Sequence, residues 1–408
     1  MAELAELLAP GQRIFVAGSS NEPTALLEAM AQMQLPEDLH FLQFPIAGLN
    51  GVDFTAWNNS ADLTTFFMTP TLAKADAQRV HYLPMQMRAV FDYLAKDVDV
   101  CLLQVAHDRN GVLRVGPNVD FVAAVLSGAR IVIAELNRHI VAPLGCPRIE
   151  SAQIDYLFES DRPLATMATP KIDEAAQSIG KLVAGLINDG DCVQTGIGAI
   201  PAAILNELSA KNDLGLHGGL IDAGGMRLIE AGNVNGARKA IDRGLHITGM
   251  ALGDSELFDW LADQPSVVFR GADHTHEVSA ISKLDNFVSI NSAVEVDLYG
   301  QVNAEFAGGK QISGTGGSVD FMRAAKASKG GRSIVAMNAT ARGGTVSRIV
   351  PQVDMVTALR TDVDIVVTEF GVAQLKNLPN RQRLDALIEI AAPQFRDELR
   401  EGSLMSET

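Results

Sequence analysis

The chain has 408 residues, more than a single hydrophobic core usually organises, so two domains are expected. Its composition, 47% hydrophobic and 20% charged, is that of a folded globular protein and excludes a disordered chain. The net charge of -16 excludes nucleic acid as the main partner, because binding to phosphate backbones requires a basic surface.

Cysteine spacing and hydropathy indicate whether the protein binds zinc, forms disulfides or enters a membrane. Cys101, Cys146 and Cys192 lie far apart and lack the spacing of a zinc site or a disulfide framework, so we expect no metal. The acidic amino terminus has no basic segment of a signal peptide, and no apolar run approaches the roughly 18 residues that cross a membrane. We therefore expect a cytoplasmic protein with no membrane partner.

Strand-like and helix-like stretches alternate along the first half. Strands are predicted at 14–16, 98–105 and 131–134, and helices at 23–33 and 119–127. This alternation is typical of βα units and predicts an α/β fold with a mostly parallel sheet.

Two pairs of similar segments indicate an internal duplication. The segment 17–27 recurs as 195–205, and in each a strand is followed by a glycine turn and a helix with proline near its first turn. Further along each half, 116–121 matches 316–321. Since both pairs occur in the same order, we expect two similar domains.

The boundary between the two halves is predicted at 161–171. Arg162-Pro163 and Thr169-Pro170 interrupt the periodicity there, because a residue before proline is disfavoured in a helix. The predicted domains are therefore 1–165 and 166–408.

A glycine turn opens the second half, at Gln194-Thr195-Gly196-Ile197-Gly198. Such a turn before a helix presents free backbone N–H groups, which suit a phosphate or a developing oxyanion. The same pattern also occurs in strand-to-helix turns that bind nothing. Pro201 occupies the place of the third glycine of a dinucleotide fingerprint, and no phosphate-binding P-loop motif is present, so nicotinamide and P-loop functions are disfavoured.

A second glycine cluster follows at 308–317. It contains Gly308, Gly309, Gly314, Gly316 and Gly317. Glycines at this density indicate that the backbone lies close to a neighbour, either a ligand or another part of the protein.

Several blocks of the sequence resemble the acetyl-CoA hydrolase/transferase family, which includes the 4-hydroxybutyrate and butyrate:acetate CoA-transferases. The blocks are 194–201, 290–297, 314–321, 343–351 and 368–373. The resemblance implies two duplicated CoA-transferase-like domains, of the NagB/RpiA/CoA-transferase type, with mostly parallel sheets.

The resemblance also implies a ligand. Coenzyme A would act as a substrate rather than a tightly bound cofactor, and acyl-CoA with a small carboxylic acid or water would be the reaction partners. The residues implied to lie near CoA belong to the second half, and they are Gln194, Thr195, Gly196, Ile197, Gly198, Val294, Gly314, Gly316 and Gly317.

One position departs from the family pattern. In the family, a glutamate carboxylate attacks the acyl-CoA and then carries CoA as a glutamyl thioester, which divides one transfer into two easier steps. The flanking segments 214–217 and 228–232 match the family, yet the position that corresponds to this glutamate is Gly219. Glycine has no carboxylate, so the covalent route is not expected here.

Three functions remain open. The first is hydrolysis of a CoA thioester, at the thioester or at a carbon-carbon bond, with His217 as a possible general base. The second is transfer through a substitute acid such as Glu295, and the third is acyl-CoA binding without catalysis. Glu295 and His217 also have structural interpretations, as a CoA-positioning carboxylate and a packed histidine. In each case we expect a homodimer or a larger closed oligomer.

Overall fold

The computed structural model describes residues 2 to 404. The chain forms two compact units, and the first comprises 1–169, 221–223 and 247–276. The second comprises 170–220, 224–246 and 277–408. The main division therefore follows Thr169, within the predicted boundary segment.

Two segments of the predicted second domain group with the first unit instead. Backbone hydrogen bonds explain this for 247–276, since the N–H of Val119 donates to Gly249 O at 2.9 Å and that of Phe269 donates to Gly145 O at 3.0 Å. The segment thus pairs with loops of the first unit, and the second half of the sequence is not one continuous body.

The strands of both units are short, and β5, with eight residues, is the longest of those described. In chain order the strands are β1 Arg13–Val16, β2 His40–Gln43, β3 Asp62–Thr65, β4 Val80–Tyr82, β5 Val100–His107, β6 Leu113–Val115, β7 Ile131–Asn137, β8 Tyr156–Ser160, β9 Cys192–Gln194, β10 Gly215–Leu216, β11 Leu220–Ile221, β12 His246–Thr248, β13 Met250–Ala251, β14 Val267–Phe269, β15 Phe287–Asn291, β16 Glu295–Asp297, β17 Val302–Asn303, β18 Phe306–Ala307, β19 Lys310–Gln311, β20 Arg332–Ala336, β21 Thr340–Ala341, β22 Val346–Ser347, β23 Ile349–Val350, β24 Ile365–Thr368 and β25 Gly371–Gln374.

The α-helices are mostly short. They are α1 Ala2–Leu7, α2 Thr24–Met30, α3 Met87–Leu94, α4 Val122–Leu126, α5 Glu174–Ala184, α6 Ala199–Glu207, α7 Ala223–Glu230, α8 Ser255–Leu261, α9 Ala272–Thr275, α10 Val278–Ile281, α11 Ser318–Ala327, α12 Asn380–Glu389 and α13 Arg396–Leu404. Among the described residues, no helix is long and apolar enough to span a membrane.

The first unit is built on a sheet of strand order β4-β3-β2-β1-β5-β7-β8. All of these strands run parallel, and β6 adds to β5 in the antiparallel direction. The central strand β5 is buried along all but its last residue, as expected for a strand covered on both faces. The predicted mostly parallel sheet is confirmed.

The second unit has a sheet of order β10-β9-β15-β20-β24-β25, in which only β25 is antiparallel. Its core packs on both sides of the sheet and includes Ile179, Ile290 and Ile334 on one side and Val296, Val335 and Val366 on the other.

The two sheets share a topology. In the first unit the parallel order β2-β1-β5-β7-β8 repeats as β10-β9-β15-β20-β24 in the second, with the strands used in the same sequence. The turn after β1 and the turn after β9 both lead into a helix, α2 and α6. This correspondence extends the duplication from two short segments to five strands.

Candidate functional site

The carboxyl ends of the parallel strands in the second unit meet at one edge of the sheet. Because parallel strands all end on the same side, ligands of open α/β sheets bind in crevices at that edge. Five strands end there, at Leu216, Gln194, Asn291, Ala336 and Thr368. The segments that follow these residues form the candidate site.

Gln194 and Asn291 form an amide pair at adjacent strand ends. Asn291 Nδ2 donates to Gln194 Oε1 at 3.2 Å, and Gln194 Nε2 lies 3.4 Å from Asn291 Oδ1. Both side chains are buried. Each amide therefore orients the other, and the buried pair lies between the carboxyl ends of β9 and β15.

The predicted glycine turn at 195–198 is open to solvent. Gly198 has φ 112° and is the N-cap of α6, with no side chain capping the helix. Among the described atoms, none lies within 4 Å of a Cβ built on Gly196. Pro201 has no N–H group, so the free donors are those of the turn and the first two residues of α6. They remain available to an anionic group.

The second glycine turn lies at the same edge. Helix α11 connects β15 to the parallel β20, so its amino end is at the carboxyl edge of these strands. Gly317 is the N-cap of α11, Gly316 has φ 55°, and Gly314 is buried. The structure thus brings the turns at 195–198 and 314–317 to the sheet edge, whereas Gly308 and Gly309 of the predicted cluster form the turn between β18 and β19.

Position 219 follows the end of β10. Gly218 is packed against the amide pair, since a Cβ at 218 would lie 3.0 Å from Gln194 Cγ. Gly219 itself is buried. His217 is fully buried, and one of its ring nitrogens lies within 4.8 Å of an Asp242 carboxylate oxygen. Gly219 therefore follows a glycine that is packed on Gln194 and a buried histidine that lies near the carboxylate of Asp242.

Glu295 is held at the start of β16. Its Oε1 accepts a hydrogen bond from Asn303 Nδ2 at 2.8 Å, and the two residues are opposite each other in the β16–β17 ladder. The side chain is half-buried. Val294 precedes Glu295, and its N–H donates to Asn303 O at 2.8 Å. The N–H of Val294 is therefore occupied, and its side chain is the part that could contact a ligand.

A guanidinium group links these elements. Arg348 Nε donates to Val294 O at 2.6 Å, and its Nη2 donates to Ala293 O. Burial lowers the pKa of Arg348, whereas the nearby carboxylates of Glu369 and Glu295 raise it. The positive charge is thus held between two acids at the sheet edge.

Sequence reasoning missed four residues of the candidate site, which are Asp242 near His217 and three residues of the sheet edge. Asn291, Arg348 and Glu369 lie within blocks that carry the family resemblance, yet none was singled out. Glu369 directly follows β24, and its Oε2 accepts from Ala339 N at 2.8 Å. Polar residues directly after a buried strand were the available signal for Asn291 and Glu369. Arg348 gave no such signal, because its position depends on two backbone carbonyls.

The corresponding turn of the first unit is filled by the protein itself. A Cβ at Gly18 would lie 2.1 Å from the carbonyl oxygen of Phe44. Glu22 is buried and accepts from Gln43 Nε2 at 2.8 Å. Burial raises the pKa of Glu22 to about 7, although its hydrogen bonds and the charge of Arg162 act in the opposite direction. Of the two duplicated turns, the second has open space for a ligand.

Family models match most of the chain. Residues 1–168 match the acetyl-CoA hydrolase/transferase N-terminal domain, and residues 253–403 match the C-terminal domain of the same family.

Similar proteins carry CoA-related names. The 4-hydroxybutyrate coenzyme A transferase of Clostridium kluyveri is 42% identical over 328 residues, 79% of this chain and 76% of the relative. The acetyl-CoA hydrolase of Yarrowia lipolytica is 31% identical over 51% of this chain and 39% of its own length. Among solved structures, RipA from Yersinia pestis has a TM-score of 0.92 at 32% identity, covering 99% of this chain and 96% of that one. A 4-hydroxybutyrate CoA-transferase from Porphyromonas gingivalis has a TM-score of 0.82 at 30% identity, covering 100% and 96%.

Proposed function

The chain belongs to the acetyl-CoA hydrolase/transferase family, and from that premise we propose that it binds acyl-CoA thioesters in its second unit and hydrolyses them. The bond cleaved is the thioester or a carbon-carbon bond of the acyl group. Relatives are named both as CoA-transferases and as acetyl-CoA hydrolases, so either chemistry is compatible with the family.

The observation that carries this proposal is Gly219. Transfer through a glutamyl-CoA thioester requires a carboxylate at the position that aligns with the family glutamate, and glycine has none. With no acid there, the acyl-CoA carbonyl is left for water. Hydrolysis needs no second acid and no covalent carrier.

The remaining groups of the edge suit attack by water. In thioester hydrolysis, the water oxygen adds to the carbonyl carbon, the C–S bond breaks, and the CoA sulfur leaves and takes a proton. The N–H groups of the 195–198 turn would stabilise the oxyanion, as donors fixed in advance do. His217 would take the proton of the water, with Asp242 stabilising the imidazolium.

A transferase that uses Glu295 is the second candidate. It is favoured by the half-buried carboxylate of Glu295 at the sheet edge, near the guanidinium of Arg348. Against it, the hydrogen bond from Asn303 and the charge of Arg348 both stabilise the carboxylate and so weaken it as a nucleophile. We therefore assign Glu295 a positioning role.

Isotope labelling tests the proposal. Acetyl-CoA and butyryl-CoA are incubated with the protein in water enriched in oxygen-18, and free CoA and the product acid are measured. Thioester hydrolysis predicts CoA release at a rate independent of added acetate, with one labelled oxygen in the acid. Carbon-carbon hydrolysis predicts a shortened CoA thioester instead of free CoA. CoA release that requires acetate would refute hydrolysis in favour of transfer, and CoA binding with neither product would favour simple binding.

Two variants distinguish the proposed roles of His217 as general base and Glu295 as positioning residue. His217→Ala is expected to lower turnover roughly 10²- to 10⁴-fold with CoA affinity preserved, as for loss of a general base. Glu295→Gln keeps an acceptor for Asn303 and should retain turnover within about tenfold. Glu389→Gln removes an exposed carboxylate of α12 and serves as the control. A larger loss in Glu295→Gln than in His217→Ala would reverse the assignment.

A further inference from the structure

The second unit has another pocket, at the opposite edge of its sheet. The pocket has a volume of about 290 Å³. Asp364, which lines it, directly precedes β24, and Lys376 lies just after the antiparallel β25. Glu369 lies at the other end of β24, and a four-residue strand is about 13 Å long. The pocket is therefore separate from the candidate CoA site.

The lining is strongly cationic. Four basic side chains line the pocket, Lys326, Arg360, Lys376 and Arg383, against the single carboxylate of Asp364. This excess of positive charge occurs in a chain whose net charge is -16. Because like charges in one concavity repel, such a cluster costs free energy unless an anion compensates it.

Two of the cations are fixed by backbone carbonyls. Lys326 Nζ donates to Thr361 O at 2.7 Å, and Arg383 Nη2 donates to Arg360 O at 2.7 Å. The position of Arg383 also requires a glycine opposite it. Gly300 has φ 88°, and a Cβ there would lie 2.5 Å from Arg383 Nη2. These contacts hold the charges in place before any ligand binds.

Of the other two cations, only Lys376 has an ionic partner among the described residues. Lys376 Nζ forms a loose ion pair with Asp364 Oδ2 at 3.7 Å, and half of its side-chain surface is exposed. Among the described residues, the guanidinium of Arg360 has no hydrogen-bond or ion-pair partner, and its side chain is exposed. Burial and the charge of Arg360 both lower the pKa of Arg383. The guanidinium of Arg360 thus has five N–H donors available to a ligand.

The amino end of a helix adds positive electrostatic potential to the pocket. Helix α12 begins at Asn380, which lines the pocket, and it has ten residues and no side-chain cap. The amino end of a helix carries a partial positive charge and free N–H groups. Helix and side chains therefore favour the same kind of ligand.

We infer that this pocket binds a small anion carrying two or more phosphate charges, of the diphosphate class. Guanidinium groups bind phosphate oxygens in a two-pronged geometry, and lysine adds point charge. A carboxylate ligand would leave most of the positive charge uncompensated. Binding at this pocket is independent of the reaction proposed above.

Titration calorimetry with pyrophosphate tests the site. The double variant Arg360→Ala/Lys376→Ala removes the two side chains that make no hydrogen bond in the pocket, so the fold should be retained. The matched control Lys171→Ala/Lys181→Ala removes the same charge from exposed positions of the second unit. Circular dichroism verifies that each variant is folded.

We expect the wild type and the control to bind pyrophosphate, and the double variant to bind at least about tenfold more weakly with its CoA affinity unchanged. Absence of binding to the wild type, or equal affinity in the double variant, would overturn the inference. So would a parallel loss of CoA affinity, because pyrophosphate would then be occupying the CoA site.

Discussion

Glu22 shows at the scale of one residue how burial connects stability to pH. Its carboxyl group lies in the first unit, and burial raises its pKa from 4.5 to about 7. Between these two values the unfolded chain is ionised while the folded chain holds its proton. Folding therefore binds a proton, and the free energy of unfolding falls as pH rises from about 4.5 to about 7.

Replacing Glu22 by glutamine should remove this pH dependence. The amide oxygen can still accept from Gln43, so the variant keeps the contact and loses the buried charge. Near pH 4 the two proteins should have similar stability. At pH 8 the variant should be more stable by up to about 3 kcal/mol, measured by urea unfolding. Glu28→Gln, at an exposed position of α2, is the control, and a stability difference that does not grow with pH would contradict the assigned burial effect.

Prediction of single residues depended on local signals. Gln194 and the glycines at 196 and 198 lie in one contiguous turn after a strand, and the structure places that turn at the sheet edge. Arg348 and Asp242 escaped prediction because their proximity to the site arises from tertiary contacts, to Val294 O and to His217. Sequence spacing contains no trace of such contacts.

The two duplicated glycine turns differ at the scale of the element. We expect Gly18→Ala to destabilise the first unit, because the new methyl group would clash with the Phe44 carbonyl, and a backbone atom cannot move away cheaply. Gly196→Ala meets open space, so the melting temperature should change little while CoA affinity falls. Differential scanning calorimetry and CoA titration on both variants measure this. Equal CoA affinity in Gly196→Ala and the wild type would argue against CoA at that turn.

Element types were predictable, whereas element ends were not. The strand predicted at 98–105 is β5 at Val100–His107, and the helix predicted at 119–127 is the shorter α4 at Val122–Leu126. Val119 lies in a turn before α4, in which the N–H of Val122 donates to Val119 O at 3.2 Å. Hydrophobic periodicity indicated the buried face of each element but not the residue at which it begins or ends.

The organisation of the whole molecule was only partly visible in the sequence. Proline breaks predicted a boundary at 161–171, and the first segment of the first unit ends at Thr169. The repeated segments predicted a duplication, and the two sheets share a strand order. The return of 247–276 to the first unit had no sequence signal, because it results from strand and loop pairing across more than a hundred residues. Topology of this kind follows from long-range contacts rather than from local propensity.

We predict that the chain assembles into a homo-oligomer. The segment Met355 to Leu359 exposes three apolar side chains, at 39%, 41% and 49% of their surface. Together with the prevalence of symmetric oligomers, this supports a homodimer or larger closed assembly. Light scattering coupled to size exclusion should give a multiple of 43.5 kDa. A mass of one chain at working concentration would contradict it.

We expect no carboxylate of this protein to carry CoA covalently, and mass spectrometry of the intact protein during turnover measures such an adduct. The wild type is incubated with acetyl-CoA and quenched, with the 4-hydroxybutyrate coenzyme A transferase of Clostridium kluyveri as a parallel reference. We expect an unchanged mass for this protein while free CoA accumulates. A mass increase equal to CoA minus one water, as a thioester requires, removable by hydroxylamine and mapped to Glu295 or any other carboxylate, would contradict this expectation and establish a transferase.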